Sequence, residues 1–343
     1  MINLIITQEL NYAICKRLKI DYNIEVIYII MFYTIYSLLT TKNPNLVYLK
    51  WVLIFALLIV VILLYKHLRP PQLLNEGFTQ KEPFVVKLEE DALDDFYVEL
   101  YDTLHRVDKR SNSELGHIIQ TTSPDTKNSV FLDVGSGTGK YIYELNEAGY
   151  QAYGIEKNDN MADYSQKLYP DIEVLSADVM QPIAFEKSTF THILCTYFTI
   201  YYFQDKGQFF KNCYFWMKPG GYLVVHLINK NKFANIIPYE KTYNYREKTK
   251  NGCKVEQKTT FKDYDYKGSY EINDKTGKTN FIETMIDNDT GHIRQNEITL
   301  YVEDLKTIID IAKKSGFIFH GKTDMKDLTG DSYQYLYYFE RSL

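Results

Sequence analysis

The run VFLDVGSGTG, Val130 to Gly139, constrains the fold of this 343-residue chain more than any other segment. Five strand-forming residues lead into glycines at alternate positions, Gly135, Gly137 and Gly139, and an amphipathic stretch follows at once. Backbone that turns sharply and comes close to another group needs residues without a Cβ. A loop that opens onto a helix N-terminus presents unpaired N–H groups, which favour an anion such as a carboxylate. Spacing then separates the possibilities. The dinucleotide fingerprint Gly-x-Gly-x-x-Gly requires glycine at position 140, where this chain has Lys140. No Gly-Lys-Ser/Thr follows, which excludes a P-loop.

The remainder of the pattern is an α/β alternation. Val130–Val134, Tyr150–Ile155, Ile172–Leu175, His192–Thr196 and Tyr222–Leu227 read as strands. Between them, Gly139–Ala148, Asn160–Leu168 and Asp205–Met217 read as helices, with Pro219-Gly220-Gly221 as a turn before the fifth strand. A helix over Phe96–Arg106 precedes the first strand. After Asn231 the helical period vanishes. Short alternating runs are broken by Asn251-Gly252, Lys267-Gly268, Thr276-Gly277 and Thr290-Gly291, the signature of a β-rich insertion. A helix over Val302–Lys314 and strands over Ile318–His320 and Tyr333–Phe339 complete the pattern.

Asp133 has no part in either excluded fingerprint. Together with Gly135, Gly137 and Gly139 it resembles motif I, Asp-x-Gly-x-Gly-x-Gly, of the class I S-adenosylmethionine-dependent methyltransferases. The resemblance extends over residues 93–343 and implies a Rossmann-like seven-stranded sheet with helices on both faces, here with the β-rich insertion after strand five. It implies S-adenosylmethionine as cofactor and a methyltransferase activity of the EC 2.1.1 class. Ser136 falls inside the motif. Glu156, closing the second strand with Lys157 after it, matches the family's acid for the ribose hydroxyls, a role for which a bidentate carboxylate is suited. Asp178 and Val179 match the position near the adenine amine, Thr196 and Tyr197 the end of strand four, and Tyr101 the aromatic laid over the methionine portion. Thr191 stands where many members have Asp. MKPGGYLVVH, Met217 to His226, resembles the family's late motif.

The N-terminal part of the chain, residues 1–90, reads differently. WVLIFALLIVVILLY, Trp51 to Tyr65, is uncharged between Lys50 and Lys66, long enough with Leu46–Leu49 to span a bilayer. Val26–Leu39 is a second, shorter apolar run, with Pro44 in the turn between them. Lys16, Arg17, Lys19, Lys66 and Arg69 flank the pair, which directs both ends to the cytoplasmic side. The expected organisation is therefore a membrane anchor of one or two transmembrane helices over 1–66 and a linker over 67–90. The α/β core follows over 91–230, the insertion over 231–298 and the closing helix and strands over 299–343. Localisation at a membrane, with the catalytic domain facing the cytoplasm, follows from the same flanks.

A sulfonium methyl group is electrophilic without assistance, so neither a catalytic triad nor a metal is expected, only in-line placement of a nucleophile. Where the nucleophile arrives protonated a base is needed. The candidates are His226 at the end of strand five and Tyr201 or Tyr202 after strand four. A net charge of −5 and the lack of an arginine-rich run argue against nucleic acid as partner. A small molecule or a protein, methylated on N or O, remains as acceptor. The competing expectation from another class is a membrane-tethered scaffold that keeps the fold without turnover.

Overall fold

The structure is a computed structural model that describes residues 35–37, 39–40, 43, 47–68, 82–234, 237–238 and 243–342. The chain divides into two compact units, Met1–Gln72 and Leu73–Leu343. In the first unit one helix is described in full, α1 (Val47–Leu68), which carries the long apolar run. Several of its side chains, including all beyond Val60, lie outside the described residues. Among those that are described, no helix is long and apolar enough to cross a membrane. The Val26–Leu39 run, its basic flank and Pro70 and Pro71 also lie outside the described residues, apart from a few helical positions near Ser37.

The second unit contains two sheets. The first elements are β1 (Phe84–Leu88), α2 (Asp95–His105) and α3 (Val107–Thr122). Then come β2 (Val130–Val134), α4 (Lys140–Glu147), β3 (Gln151–Glu156), α5 (Asp159–Leu168), β4 (Glu173–Ser176) and β5 (Phe190–Cys195). These are followed by α6 (Lys206–Trp216) and β6 (Met217–Ile228). The inserted strands are β7 (Tyr243–Thr249), β8 (Gly252–Thr260), β9 (Tyr264–Asn273), β10 (Lys278–Asp287) and β11 (Ile293–Tyr301). The chain closes with α7 (Leu305–Lys314), β12 (Phe317–Asp324), α8 (Met325–Leu328) and β13 (Gln334–Arg341).

The main sheet has seven strands in the order β12-β13-β6-β5-β2-β3-β4. The strands from β4 to β6 are parallel, whereas β13 runs antiparallel to both β6 and β12. The central strands β2 and β5 are largely buried on both faces and mostly apolar, as a sheet covered on both sides requires, with Asp133 and His192 as buried polar exceptions. The order reverses between β2 and β5, and the ends of those strands form the crevice where open α/β sheets take ligands.

The β-rich insertion is a sheet of its own, ordered β1-β11-β10-β9-β8-β7. Its sixth strand comes from a segment that reads as linker, because β1 pairs parallel with β11 from Phe84↔Ile293 to Leu88↔Glu297. Lys267-Gly268 is not a turn. Gly268 lies in the middle of β9, between Gln257 of β8 and Glu283 of β10, and the chain reverses near Phe261–Tyr264 instead. Pro219-Gly220-Gly221 falls within β6 as a bulge: Met217 pairs with Phe190 and Tyr222 with His192. Arg294 of β11 fastens this sheet to α2 with two bonds to Asp94, of 3.0 and 2.9 Å, and Asp94 also caps α2 through the Tyr97 N–H.

Candidate cofactor cleft and active site

The glycines after β2 occupy the left-handed region, with φ of 64° at Gly135, 52° at Gly137 and 79° at Gly139. They serve different ends. A Cβ on Gly139 would lie 2.4 Å from Ile172 Cδ1 and 3.0 Å from Ser165 Cβ, so this residue lets α4 start against α5. A Cβ on Gly135 would lie 2.6 Å from Thr199 Cγ2. At Gly137 the nearest group is the Tyr101 ring, 3.9 Å away, so that glycine faces open space.

That space is a cleft of about 470 Å³, part of it open to solvent. Tyr101, Asp133, Gly135, Ser136, Gly137, Thr196 and Tyr197, all singled out from the sequence, line it together. Glu156 joins them at the loop: its Oε2 accepts the Gly137 N–H at 3.0 Å, and its Oε1 accepts the Asn158 N–H at 2.9 Å. Each oxygen keeps a lone pair for a further donor. Burial pushes the Glu156 carboxyl upward against the pull of these bonds. Asp133 is 3% exposed with an unpartnered Oδ1, and burial, followed by Glu156 and Glu114, raises its pKa well above the carboxylate range. Ser136 Oγ is also buried without a partner. Asp102, which accepts from Thr138 Oγ1 at 2.6 Å beside the loop, is raised by burial to about 6. The lining cations Arg110 and Lys140 pair with Glu114, Asp331, Asp108 and Glu144 rather than with Asp133 or Glu156, which suits a ligand that brings positive charge together with hydroxyl and amine donors. S-adenosylmethionine has that chemistry, so the residues present fit it.

Other expected residues sit elsewhere. Lys157 is half-exposed and pairs with Glu90 at 2.5 Å and Asp178 at 3.6 Å. Asp178 also accepts the Met180 N–H at 2.9 Å, which makes it a turn-former as well. Val179 is buried, its carbonyl held by Asn212 Nδ2 at 2.9 Å. None of these three lines the cleft. Neither do His226, Tyr201 or Tyr202. His226 is fully buried, and its Nδ1–H donates to the Tyr197 carbonyl; burial holds its pKa down near 3. The Tyr201 oxygen is buried too and accepts the Ile228 N–H at 2.8 Å. Tyr202 is 45% exposed. Thr191, at the position where the resemblance expects an acid, instead accepts the Val130 N–H at 2.9 Å and links β5 to β2.

Arg110 and His105 are among the lining residues that escape the sequence reading. Arg110 of α3 is 3% exposed, bonded to Glu114 at 2.7 Å and Asp331 at 3.0 Å, with its guanidinium 4.2 Å from the Tyr197 ring centre. His105, at the end of α2, contacts Tyr101 at 4.4 Å between ring centres and bonds the Tyr197 hydroxyl through Nδ1 at 2.8 Å. The signal for His105 was its spacing, since Tyr97, Tyr101 and His105 recur every four residues along one face of α2.

A glycine-walled cleft at the reversal point of a sheet whose seventh strand is antiparallel defines the Rossmann-like class I methyltransferase fold. The comparisons agree: residues 132–225 match the methyltransferase domain family. An S-adenosylmethionine-dependent methyltransferase from Clostridium acetobutylicum shares the fold with a TM-score of 0.54 at 14% identity, over 72% of this chain and 98% of that one. The CcbJ methyltransferase from Streptomyces caelestis does so with a TM-score of 0.54 at 12% identity, over 69% and 90% respectively. DesVI from Streptomyces venezuelae follows at 0.50 and 14%, over 73% and 99%. No curated protein matches the sequence significantly.

Proposed function

We propose that this chain is an S-adenosylmethionine-dependent methyltransferase that transfers a methyl group to an N or O nucleophile of a small molecule or protein. The observation that carries the reading is Asp133, a buried carboxyl with an unpartnered oxygen on the wall of a glycine-lined cleft. When bound, the cofactor supplies an electrophilic methyl group on a cationic sulfur. The chain's part is to hold and orient. The N–H groups of Gly135, Ser136, Gly137 and Gly139 are bonded to Ile155, Glu156 and Ser136, so the loop contributes close backbone approach rather than a row of unpaired donors. Glu156 accepts from ribose hydroxyls, and Tyr101 packs beside Gly137 against the methionine portion. Asp133 offers its unpartnered Oδ1 to a donor of the ligand. These roles rest on the motif match, on the bonds of Glu156 and on the unpartnered oxygen of Asp133.

The test is transfer of label from methyl-labelled S-adenosylmethionine into fractionated lysate by the full chain. Label in one class of small molecule, protein or lipid is the expected result. Cofactor binding with no transfer to any fraction would favour the scaffold alternative.

Membrane anchoring through the N-terminal segment, with the catalytic unit on the cytoplasmic side, is part of the same proposal. It is supported by composition, since Trp51–Tyr65 has no charge, and by length. Fractionation of cells making the full chain is expected to place it in the membrane pellet, released by detergent but not by salt. Recovery in the supernatant without detergent would remove the anchor.

A further inference from the structure

The cleft holds a feature that cofactor binding does not use. Tyr197, a non-glycine residue at the end of β5, has φ of 50°. A bulky residue in that region is strained and persists only where its surroundings hold it. Four groups do so. The His226 Nδ1–H donates to its carbonyl, the Arg110 guanidinium lies 4.2 Å from its ring centre, Phe198 packs at 4.5 Å, and His105 Nδ1 bonds its hydroxyl at 2.8 Å. His105 is itself held on the far side, where Nε2 lies 3.3 Å from the Tyr97 hydroxyl.

We propose that Tyr197 and His105 form the proton-accepting pair for the methyl acceptor, with the Tyr197 hydroxyl as the catalytic group and His105 as the positioning residue that takes its proton. This rests on the methyltransferase reading and gives it a base that His226, Tyr201 and Tyr202 do not supply. Both members line the same cleft as Gly135 and Gly137.

The acceptor in this step is an amine. The nitrogen lone pair forms the new N–C bond, and the C–S bond breaks with its pair left on sulfur. The acceptor N–H bond breaks, its proton passing to Tyr197 Oη as the Tyr197 proton passes to His105 Nδ1. One positive charge leaves sulfur and one arrives on the imidazole, so total charge is unchanged. At rest the imidazole is neutral: burial first, then the charge of Arg110, holds its pKa near 3. The other titratable groups facing it are Tyr97 and Tyr101 on its own helix and Tyr197 on the β5 side. Behind Tyr97 lies Glu283 of β10, fully buried, accepting from Tyr266 at 2.8 Å.

Sinefungin tests the pair without turnover, because it carries an amine in place of the transferred methyl group, and S-adenosylhomocysteine carries nothing there. Affinities of both are measured by calorimetry on the full chain. Tyr197→Phe, which keeps the ring, is expected to weaken sinefungin tenfold or more and to change S-adenosylhomocysteine less than threefold. His105→Ala should reproduce the selective loss and His105→Asn should restore part of it, an order that a purely structural role does not produce. An unchanged affinity ratio in Tyr197→Phe and His105→Ala would overturn the pair and leave the methyltransferase reading intact. Failure of the unsubstituted chain to bind either compound would overturn that reading and the pair with it.

Discussion

Alanine at Gly137 and at Gly139 should damage the protein in opposite ways. Both positions have positive φ, 52° and 79°, so each substitution carries a backbone cost of about 1–2 kcal/mol. At Gly137 little else opposes the methyl group, whose nearest neighbour is the Tyr101 ring at 3.9 Å. At Gly139 the methyl group would sit 2.4 Å from Ile172 Cδ1 and 3.0 Å from Ser165 Cβ, which adds an overpacking cost of about 1–3 kcal/mol. Gly139→Ala is therefore expected to lose about 2–5 kcal/mol in all, and Gly137→Ala about 1–2. Ligand affinity should show the reverse order. The Gly137 methyl group projects into the cleft and should weaken S-adenosylhomocysteine at least tenfold, about 1.4 kcal/mol, while the Gly139 methyl group points away from it. Denaturant unfolding and calorimetry on the same preparations measure both quantities. Equal stability losses, or full ligand affinity in Gly137→Ala, would refute the division of labour assigned to the loop.

Two further predictions concern buried charge. Asp102 is raised to about 6 in the folded protein from 3.8, so the native state binds the proton more tightly than the unfolded state. Stability consequently falls as pH rises between those two values and is level above them. Asp102→Asn should therefore stabilise by about 3 kcal/mol at most at pH 7.5 but only by about 1 at pH 4.5; a gain independent of pH in denaturant midpoints would contradict this. Arg110→Met leaves Glu114 and Asp331 buried without their cation and should cost about 3–5 kcal/mol. A loss under about 1 kcal/mol would mean that the network adds little beyond packing.

The sheet was legible because strands covered on both faces are written as apolar runs, and the glycine loop because backbone geometry leaves no other residue type. What escaped has physical reasons. Helix α3 shows no apolar period, because the face it buries includes Arg110, Ser111 and Glu114. Strand β1 is five residues with no neighbour in sequence, and only its pairing with β11 identifies it. Gly268 looked like a turn because a glycine beside a lysine punctuates most sequences, yet here it lies between the buried side chains of Gln257 and Glu283. His105 and Tyr197 are 92 residues apart, so their bond was invisible until the chain was folded. His226 showed the reverse: strand-end position suggested chemistry, and its ring proved to be committed to a backbone carbonyl.

The most direct measurement is the affinity of the full chain for S-adenosylhomocysteine with and without the Glu156 carboxylate. One binding site per chain, weakened tenfold or more in Glu156→Gln, is the predicted result. No heat of binding, or equal affinity in both proteins, would contradict the assignment of the cleft to a sulfonium nucleoside.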